Sequence, residues 1–356
     1  MIDWTRGMAQ TFEFREVDPA TWQDARPLGC ISSAEIEFDS ESDTGGRATF
    51  ESSEDLGERY VRAYLVAQQD GGAPERVPLG TFLTQTSSKD ADGAFSRYRL
   101  EAYTPLLELS DDMPPLGFSV PAGSDSVTAA ADLAALHCRA PVAASPVSQA
   151  LSEPFSAEPD ETWLQFLSAL LAKAGLSLAP DVMGRICMVP RRDPGSIAPV
   201  REFRDDESSV MCADVSETRD LYGVPNTVEV VLPGEASGAS ARAVCGDAGN
   251  PASTVARGRT VLARDTSPDA PDGLGGAAAD AWLAEEARRQ LAEKCSASRE
   301  AVYTRGFDPA VRVGDCVALD IAAAGVRARA VVTRQRVVLG EGCLVEETAR
   351  WAEVSA

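Results

Sequence analysis

The run Tyr60-Val61-Arg62-Ala63-Tyr64-Leu65-Val66-Ala67-Gln68 carries the pattern that decides the fold. Val61, Ala63, Leu65 and Ala67 alternate with Tyr60, Arg62, Tyr64 and Val66, so one face is apolar and the other mixed. A repeat of two residues is that of a strand. Asp70, Gly71, Gly72 and Pro74 supply the turn after it, because glycine takes positive φ freely and proline needs no ladder donor. A second strand is expected over Arg76–Thr86, where Pro78 and Gly80 point to an edge or to a bulge that bends the sheet. Asp90, Asp92 and Gly93 are expected to turn the chain into a third strand, Phe95–Tyr103. There Tyr98, Leu100 and Ala102 oppose Arg97, Arg99 and Glu101. Three bent, hydrogen-bonded strands begin a closed sheet or small barrel.

Working outward, Thr11–Val17, Ile31–Asp39 and Arg47–Glu51 read as further strands, so residues 1–110 form a first β-barrel-like unit. Asp111, Asp112, Pro114 and Pro115 break the pattern, and residues 111–200 read as an α+β middle. It holds an Ala-rich helix over about 126–137 with Ser126 as N-cap, and a Pro/Ala/Ser-rich loop over Arg139–Pro159. A stronger helix, about 161–174, places Trp163, Phe166, Leu167, Leu170, Leu171 and Ala174 on one stripe, with Gly175 behind it. A hairpin over 176–189, turning at Asp181–Gly184, is expected to cover that stripe.

Residues 201–356 return to strands, at Thr227–Leu232, Arg242–Cys245 and Arg257–Ala263. An inserted helix follows over about 277–297, with Leu283, Ala287, Leu291 and Cys295 on one face and a Glu285–Arg289 pair on the other. Strands close the chain at Ser298–Arg305, Asp315–Ile321, Arg327–Leu339 and Cys343–Trp351. The expectation is a mainly β chain with an α+β middle: two small β-barrel-like domains and a helical and hairpin insert.

Composition sets limits on function. At 356 residues there is chain for two domains of roughly 150 residues each. The 44% hydrophobic and 25% charged content is that of a globular protein rather than a disordered one. The 55 acidic residues outnumber 33 basic ones, and a net charge of −22 repels phosphate, which argues against nucleic acid as a ligand. Eight cysteines, spread with no close pairs, are too thin for a disulfide scaffold. Met1–Gln10 lacks a signal pattern and no apolar run approaches roughly 18 residues, so folding in a reducing cytosol is expected.

Reactive constellations are sparse. The single histidine, His137, adjoins Cys138, but sequence neighbours rarely address each other, and a partly buried imidazole at a helix end is expected. Zinc spacing is missing. Asp90, Asp92 and Gly93 mimic the start of a calcium loop without its closing glutamate, and Asp205, Asp206 and Glu207 read as a solvated charge run. Gly273, Gly275 and Ala278 fit dinucleotide spacing, but Pro268 and Pro271 deny the strand that must precede it. No catalytic residue, metal site or cofactor is therefore expected, and the chain reads as one that binds protein, with its partner interface unlocated. Two alternatives stay open. A carboxylate-based cell-wall glycoside hydrolase needs two opposed carboxylates about 5–10 Å apart. A carbohydrate-binding β module needs clustered exposed aromatics, whereas Trp4, Trp22, Trp163, Trp282 and Trp351 are scattered.

The order of landmarks resembles the tail hub proteins (baseplate hub, late control protein D-like) of long-tailed bacteriophages and prophages. The matching pieces are Ile31–Asp39, Arg62–Val66 running into Val77–Phe82 (Val-Pro-Leu-Gly-Thr-Phe), and Leu100–Leu109 with its Tyr-Thr-Pro-Leu-Leu. The middle helix running into Leu176–Pro190 and the segment Asp308–Leu319 also match. The resemblance implies two related small barrels per subunit and a homotrimer whose pseudo-sixfold ring joins the tail tube or distal tail protein to a tail-tip spike, fibre or lysin. It also implies a place at the virion tail tip or baseplate after synthesis in the bacterial host cytoplasm, with no membrane span. Some hub proteins continue into a lysozyme, peptidase or spike domain. Here the chain stops soon after Trp351, so cell-wall cleavage is expected from another protein.

Overall fold

A computed structural model describes residues 2–92, 95–190, 197–206, 210–232, 239–266, 276–296, 298–340 and 343–352. The strands of the first half are β1 (Ala9–Val17), β2 (Asp24–Pro27), β3 (Ile31–Asp39), β4 (Gly46–Ser52), β5 (Tyr60–Gln68), β6 (Glu75–Asp92) and β7 (Phe95–Tyr103). The middle contains α1 (Leu107–Ser110), β8 (Ser119–Val120), α2 (Ser126–His137), β9 (Phe155–Ser156), α3 (Trp163–Ala172), and the hairpin β10 (Leu176–Pro180) and β11 (Ile186–Pro190). Then come β12 (Arg201–Arg204), β13 (Met211–Asp220), β14 (Thr227–Val231), β15 (Ser240–Val244), α4 (Thr254–Arg257), β16 (Leu262–Asp265) and α5 (Gly276–Lys294). The chain closes on β17 (Ser298–Gly306), β18 (Cys316–Ile321), β19 (Val326–Leu339) and β20 (Leu344–Ala352). It divides into two compact units, Met1–Val215 with Val302–Ala349, and Ser216–Ala301 with Arg350–Ala356.

The fold is mainly β, as expected. A 13-stranded sheet runs β13-β17-β20-β19-β3-β4-β7-β6-β5-β1-β2, with β18 paired to both β12 and β19. The early and late strands therefore share one sheet through β3 and β19, where Ile36 stands opposite Val337. Among the described residues this order ends on β2 and β13 and does not close into the small barrels expected from the bends. The physical reason is that β3, which would have to close the first set of strands on itself, is taken by β19.

Pro78 and Gly80 do mark a bulge. Ala63 pairs with Gly80 and Tyr64 with Pro78, which leaves Leu79 as the extra residue. β6 is no edge, since it lies between β5 and β7. Gly80 is required by packing: a Cβ there would stand 2.4 Å from the Phe82 ring and 3.1 Å from Phe38. β6 also runs on through Asp90 and Asp92, which pair with Arg97 and Phe95, so those two aspartates are strand and not turn. Gly93 lies outside the described residues.

Two of the cores of the first unit lie on the two sides of its early strands. Phe14, Ile36, Phe50, Leu65, Phe82, Leu100, Val337 and Val345 form the core on one side of the sheet, with Phe14 and Phe50 edge to face at 5.9 Å. Trp163, Phe166, Leu167, Leu170 and Leu171 of α3 form the second, with Val127, Ala130 and Ala134 of α2 and Leu176 and Ile186 of the hairpin. Tyr60, Trp22 and Leu83 belong to this second core, so the mixed face of β5 is covered too.

The caps differ from expectation in one place. Asp125, not Ser126, caps α2, its carboxylate accepting from the Thr128 backbone N–H at 2.7 Å, because Asp125 is still extended whereas Ser126 is already helical and buried. Thr162 and Gln165 close a reciprocal capping box on α3.

In the second unit β14 lies between β15 and β16, and Leu283 and Ala287 of α5 pack on Val228, Val230 and Ala243. The strand expected over Arg257–Ala263 is displaced. Ser253 caps the short α4, Gly258 ends it at φ +61°, and the strand follows at Leu262–Asp265. On α5, Glu285 pairs with Arg288 at 2.7 Å, and Arg289 pairs with Glu286 and Glu293, both at 2.6 Å, which replaces the expected Glu285–Arg289 pair. No helix among the described residues is long and apolar enough to cross a membrane.

Candidate functional site

Strand alternation builds a charged surface on the outer face of β19, β3, β4 and β7. With Ile36, Ala48, Leu100 and Val337 turned into the core, their neighbours Glu35, Glu37, Arg47, Glu51, Arg97, Arg99, Arg334 and Arg336 point away from it. Arg336 grips Glu35 with two bonds, 2.8 and 2.7 Å. Arg334 reaches Glu37 at 2.5 Å, Arg47 reaches Glu37 at 3.3 Å, and Arg97 reaches Glu51 at 3.5 Å. The bond from Arg336 holds the Glu35 carboxyl below its usual range. A pair as open as Arg97–Glu51 contributes only about 0–1 kcal/mol, whereas Glu37 is buried beneath its two arginines. Together these side chains fix a face where five arginines meet three glutamates, on a chain whose net charge is −22. Val338, 44% exposed, sits within it.

Beneath the other face of β5 lies a polar staple. Arg62 is 1% exposed and donates to Thr81 Oγ1 at 2.8 Å, Asp24 Oδ1 at 2.8 Å, the Met183 carbonyl at 2.9 Å and the Trp22 carbonyl at 3.5 Å. The Trp22 indole N–H donates to the same Met183 carbonyl at 2.8 Å. Tyr64 donates to Asp24 at 2.9 Å, and burial raises its hydroxyl pKa. Gly184, at φ +75°, lets the hairpin turn approach so closely that a Cβ would lie 2.7 Å from Thr81. The staple holds the β10–β11 turn to the sheet.

A second buried arginine, Arg305, bonds Glu347, which also accepts from Gln335 Nε2 at 2.6 Å. Arg305 and Glu347 are both fully buried, and the Phe203 ring lies 5.4 Å from the guanidinium. Burial pushes the neighbouring Tyr303 hydroxyl well up.

An open cleft of about 650 Å³ lies at the C-terminal end of α2, lined by Glu58, Glu108, Asp111, His137, Cys138 and Arg139 among others. Its histidine and cysteine have different partners. His137 Nδ1 lies 3.0 Å from Asp112 Oδ2, and the ring stacks on Trp163 at 4.1 Å. The Cys138 thiol donates to the Pro105 carbonyl at 3.4 Å, and burial pushes it up to about 12, away from the thiolate a nucleophile needs. Arg139 pairs with Glu108 and, at 3.4 Å, with Glu58, so two of the lining carboxylates are bound to one cation.

The other residues flagged in the sequence lie apart. Asp205 accepts the Ala323 backbone N–H at 2.7 Å, an interaction that lowers its pKa, while Glu207 lies outside the described residues. Ala278 is in the first turns of α5, and Gly273 and Gly275 lie outside the described residues. Trp163 and Trp22 are buried, Trp4 packs edge to face on Phe307, and Trp282 packs on the α5 core. Among the described residues no group of three or more His, Cys, Asp or Glu side chains is placed to hold a metal ion.

This arrangement of strands is the fold of phage and prophage tail proteins. A tail protein from Neisseria meningitidis MC58 superposes with a TM-score of 0.67 at 17% identity, over 96% of this chain and 96% of that one. The 43 kDa tail protein of prophage MuSo2 from Shewanella oneidensis gives 0.64 at 12% identity, over 95% and 97%. A chain of the Francisella PdpA–VgrG complex gives 0.57 at 7% identity, over 98% of this chain and 59% of that one. No family model matches the sequence, and no curated protein matches it.

Proposed function

We propose that this chain is a structural tail hub subunit of a phage, a prophage or a related injection device, and that it acts by binding protein rather than by turning over a substrate. The observation that carries the reading is the shared fold along 96% of both chains with the Neisseria tail protein. In this reading three copies form a pseudo-sixfold ring at the virion tail tip. The ring joins the tail tube or distal tail protein to a spike, fibre or lysin. The charged face of β19, β3, β4 and β7 is the subunit contact, because acidic copies repel least where arginines outnumber carboxylates. An acidic ring also avoids holding the DNA that passes through it. The cleft beside Arg139, with Glu58 and Glu108 on one cation, gives the hydrolase alternative little support.

Native mass measurement of the purified chain, alone and mixed with its tail tube protein, tests the reading. The expected species is three times the chain mass, seen as a ring by electron microscopy. A chain that stays monomeric with the tube protein present overturns it. Arg334→Glu with Arg336→Glu is expected to abolish the trimer while leaving the monomer folded by circular dichroism.

A further inference from the structure

Cys245 directly follows β15 and Cys295 directly follows α5, the helix that packs on β14 and β15. Cys245 is the thiol near enough to bear on Cys295. The loop between them is pinned to both: Asn250 Nδ2 donates to the Cys295 carbonyl at 3.0 Å and approaches its sulfur at 3.9 Å. Thr254 bonds the Cys245 carbonyl through its backbone N–H at 3.0 Å and its hydroxyl at 2.9 Å. Cys245 is partly open to solvent and Cys295 is buried.

We infer that Cys245 and Cys295 form an oxidation site, two thiols held in register that close into a disulfide when the protein meets a small-molecule disulfide. The accessible Cys245 thiolate attacks one sulfur of the oxidant, breaking its S–S bond, forming a mixed disulfide and releasing one thiol. Cys295 then loses its proton, and its thiolate attacks the Cys245 sulfur. The Cys245–Cys295 bond forms, and the second thiol leaves and takes the proton. Two protein thiols are oxidised and one external disulfide is reduced. In a reducing cytosol the pair stays open, and outside the cell it latches the end of β15 to the end of α5. Burial and the Cys245 neighbour push the Cys295 thiol up to about 12. The second step therefore accelerates about tenfold per pH unit through the neutral and mildly alkaline range.

The test treats the full chain with oxidised glutathione, counts free thiols and maps the cross-linked peptides. The expected result is loss of two thiols, a Cys245–Cys295 peptide, and a melting temperature that rises and returns on reduction. The Cys295→Ser variant is expected to stop at a glutathione adduct on Cys245, and Cys212→Ser, which removes an exposed thiol, is expected to leave the latch unchanged. A wild-type chain that accumulates the glutathione adduct at Cys245, or that links either cysteine elsewhere, overturns the inference.

Discussion

Arg62 spreads its guanidinium over a hydroxyl, a carboxylate and two backbone carbonyls, whereas Arg305 bonds the Glu347 carboxylate and the carbonyl of its own neighbour Gly306. Both are sealed from solvent. The first arrangement joins elements distant in sequence, since Met183 lies 121 residues from Arg62. The second balances a charge inside one set of strands. A buried arginine thus serves as a staple where its acceptors come from segments far apart in the chain, and as one half of an ion pair where its charge is matched by one equally buried carboxylate. In the second case either partner alone is the costly state.

The sharpest attempt to break this contrast is Glu347→Ala. It leaves Arg305 charged and uncompensated in the core, and a loss of about 3–5 kcal/mol is expected in urea unfolding. The paired change Arg305→Met with Glu347→Leu should recover most of that loss. If it does not, the pair does more than cancel charge. Arg62→Ala is expected to cost about 3 kcal/mol, because it leaves buried acceptors unpaired. It should also speed limited proteolysis at the Asp181–Gly184 turn, an effect that Glu347→Ala should lack. Gly80→Ala, which drives a methyl into Phe82, is expected to cost about 1–3 kcal/mol, read from the same unfolding curves. Arg336→Ala, on the outer face, should change monomer stability by less than about 1 kcal/mol, and its effect should instead appear in assembly. The smallest effect concerns pH. Hydrogen bonds from Ser148, Thr128 and Gln149 hold the Asp125 carboxyl at about 2. A lowered pKa adds stability above the unfolded value of about 3.9, and that stability is lost as pH falls toward about 2. Helix signal at α2 should fall in that window, and Asp125→Asn should remove this step.

Much of the fold was legible because alternation survives wherever one side of a strand is core. β3 and β7 follow their expected limits residue for residue, as do α2 and the hairpin behind α3 to within a residue or two. The errors fell where local signals compete. Asp90 and Asp92 look like turn formers but continue β6, because pairing with β7 overrides their propensity. Ser253 and Gly258 bracket α4 as clear start and stop signals, yet its four residues are too few to show a period. Arg62 was visible as the charged member of an otherwise apolar run, but its partner Met183 lies far along the chain. The charged outer face was written in the alternation of Glu35 with Glu37 and of Arg334 with Arg336. Joining those strands required the β3–β19 pairing, which nothing local encodes.

That pairing has a consequence for how the protein is made. Glu35 and Arg336 lie 301 residues apart. A ribosome adding roughly 5–20 residues per second leaves the β3 edge without its neighbour for roughly 15–60 s after it emerges. During that interval the growing chain exposes a strand border to every other nascent copy. Premature termination before residue 326 should therefore yield insoluble fragments rather than a soluble half.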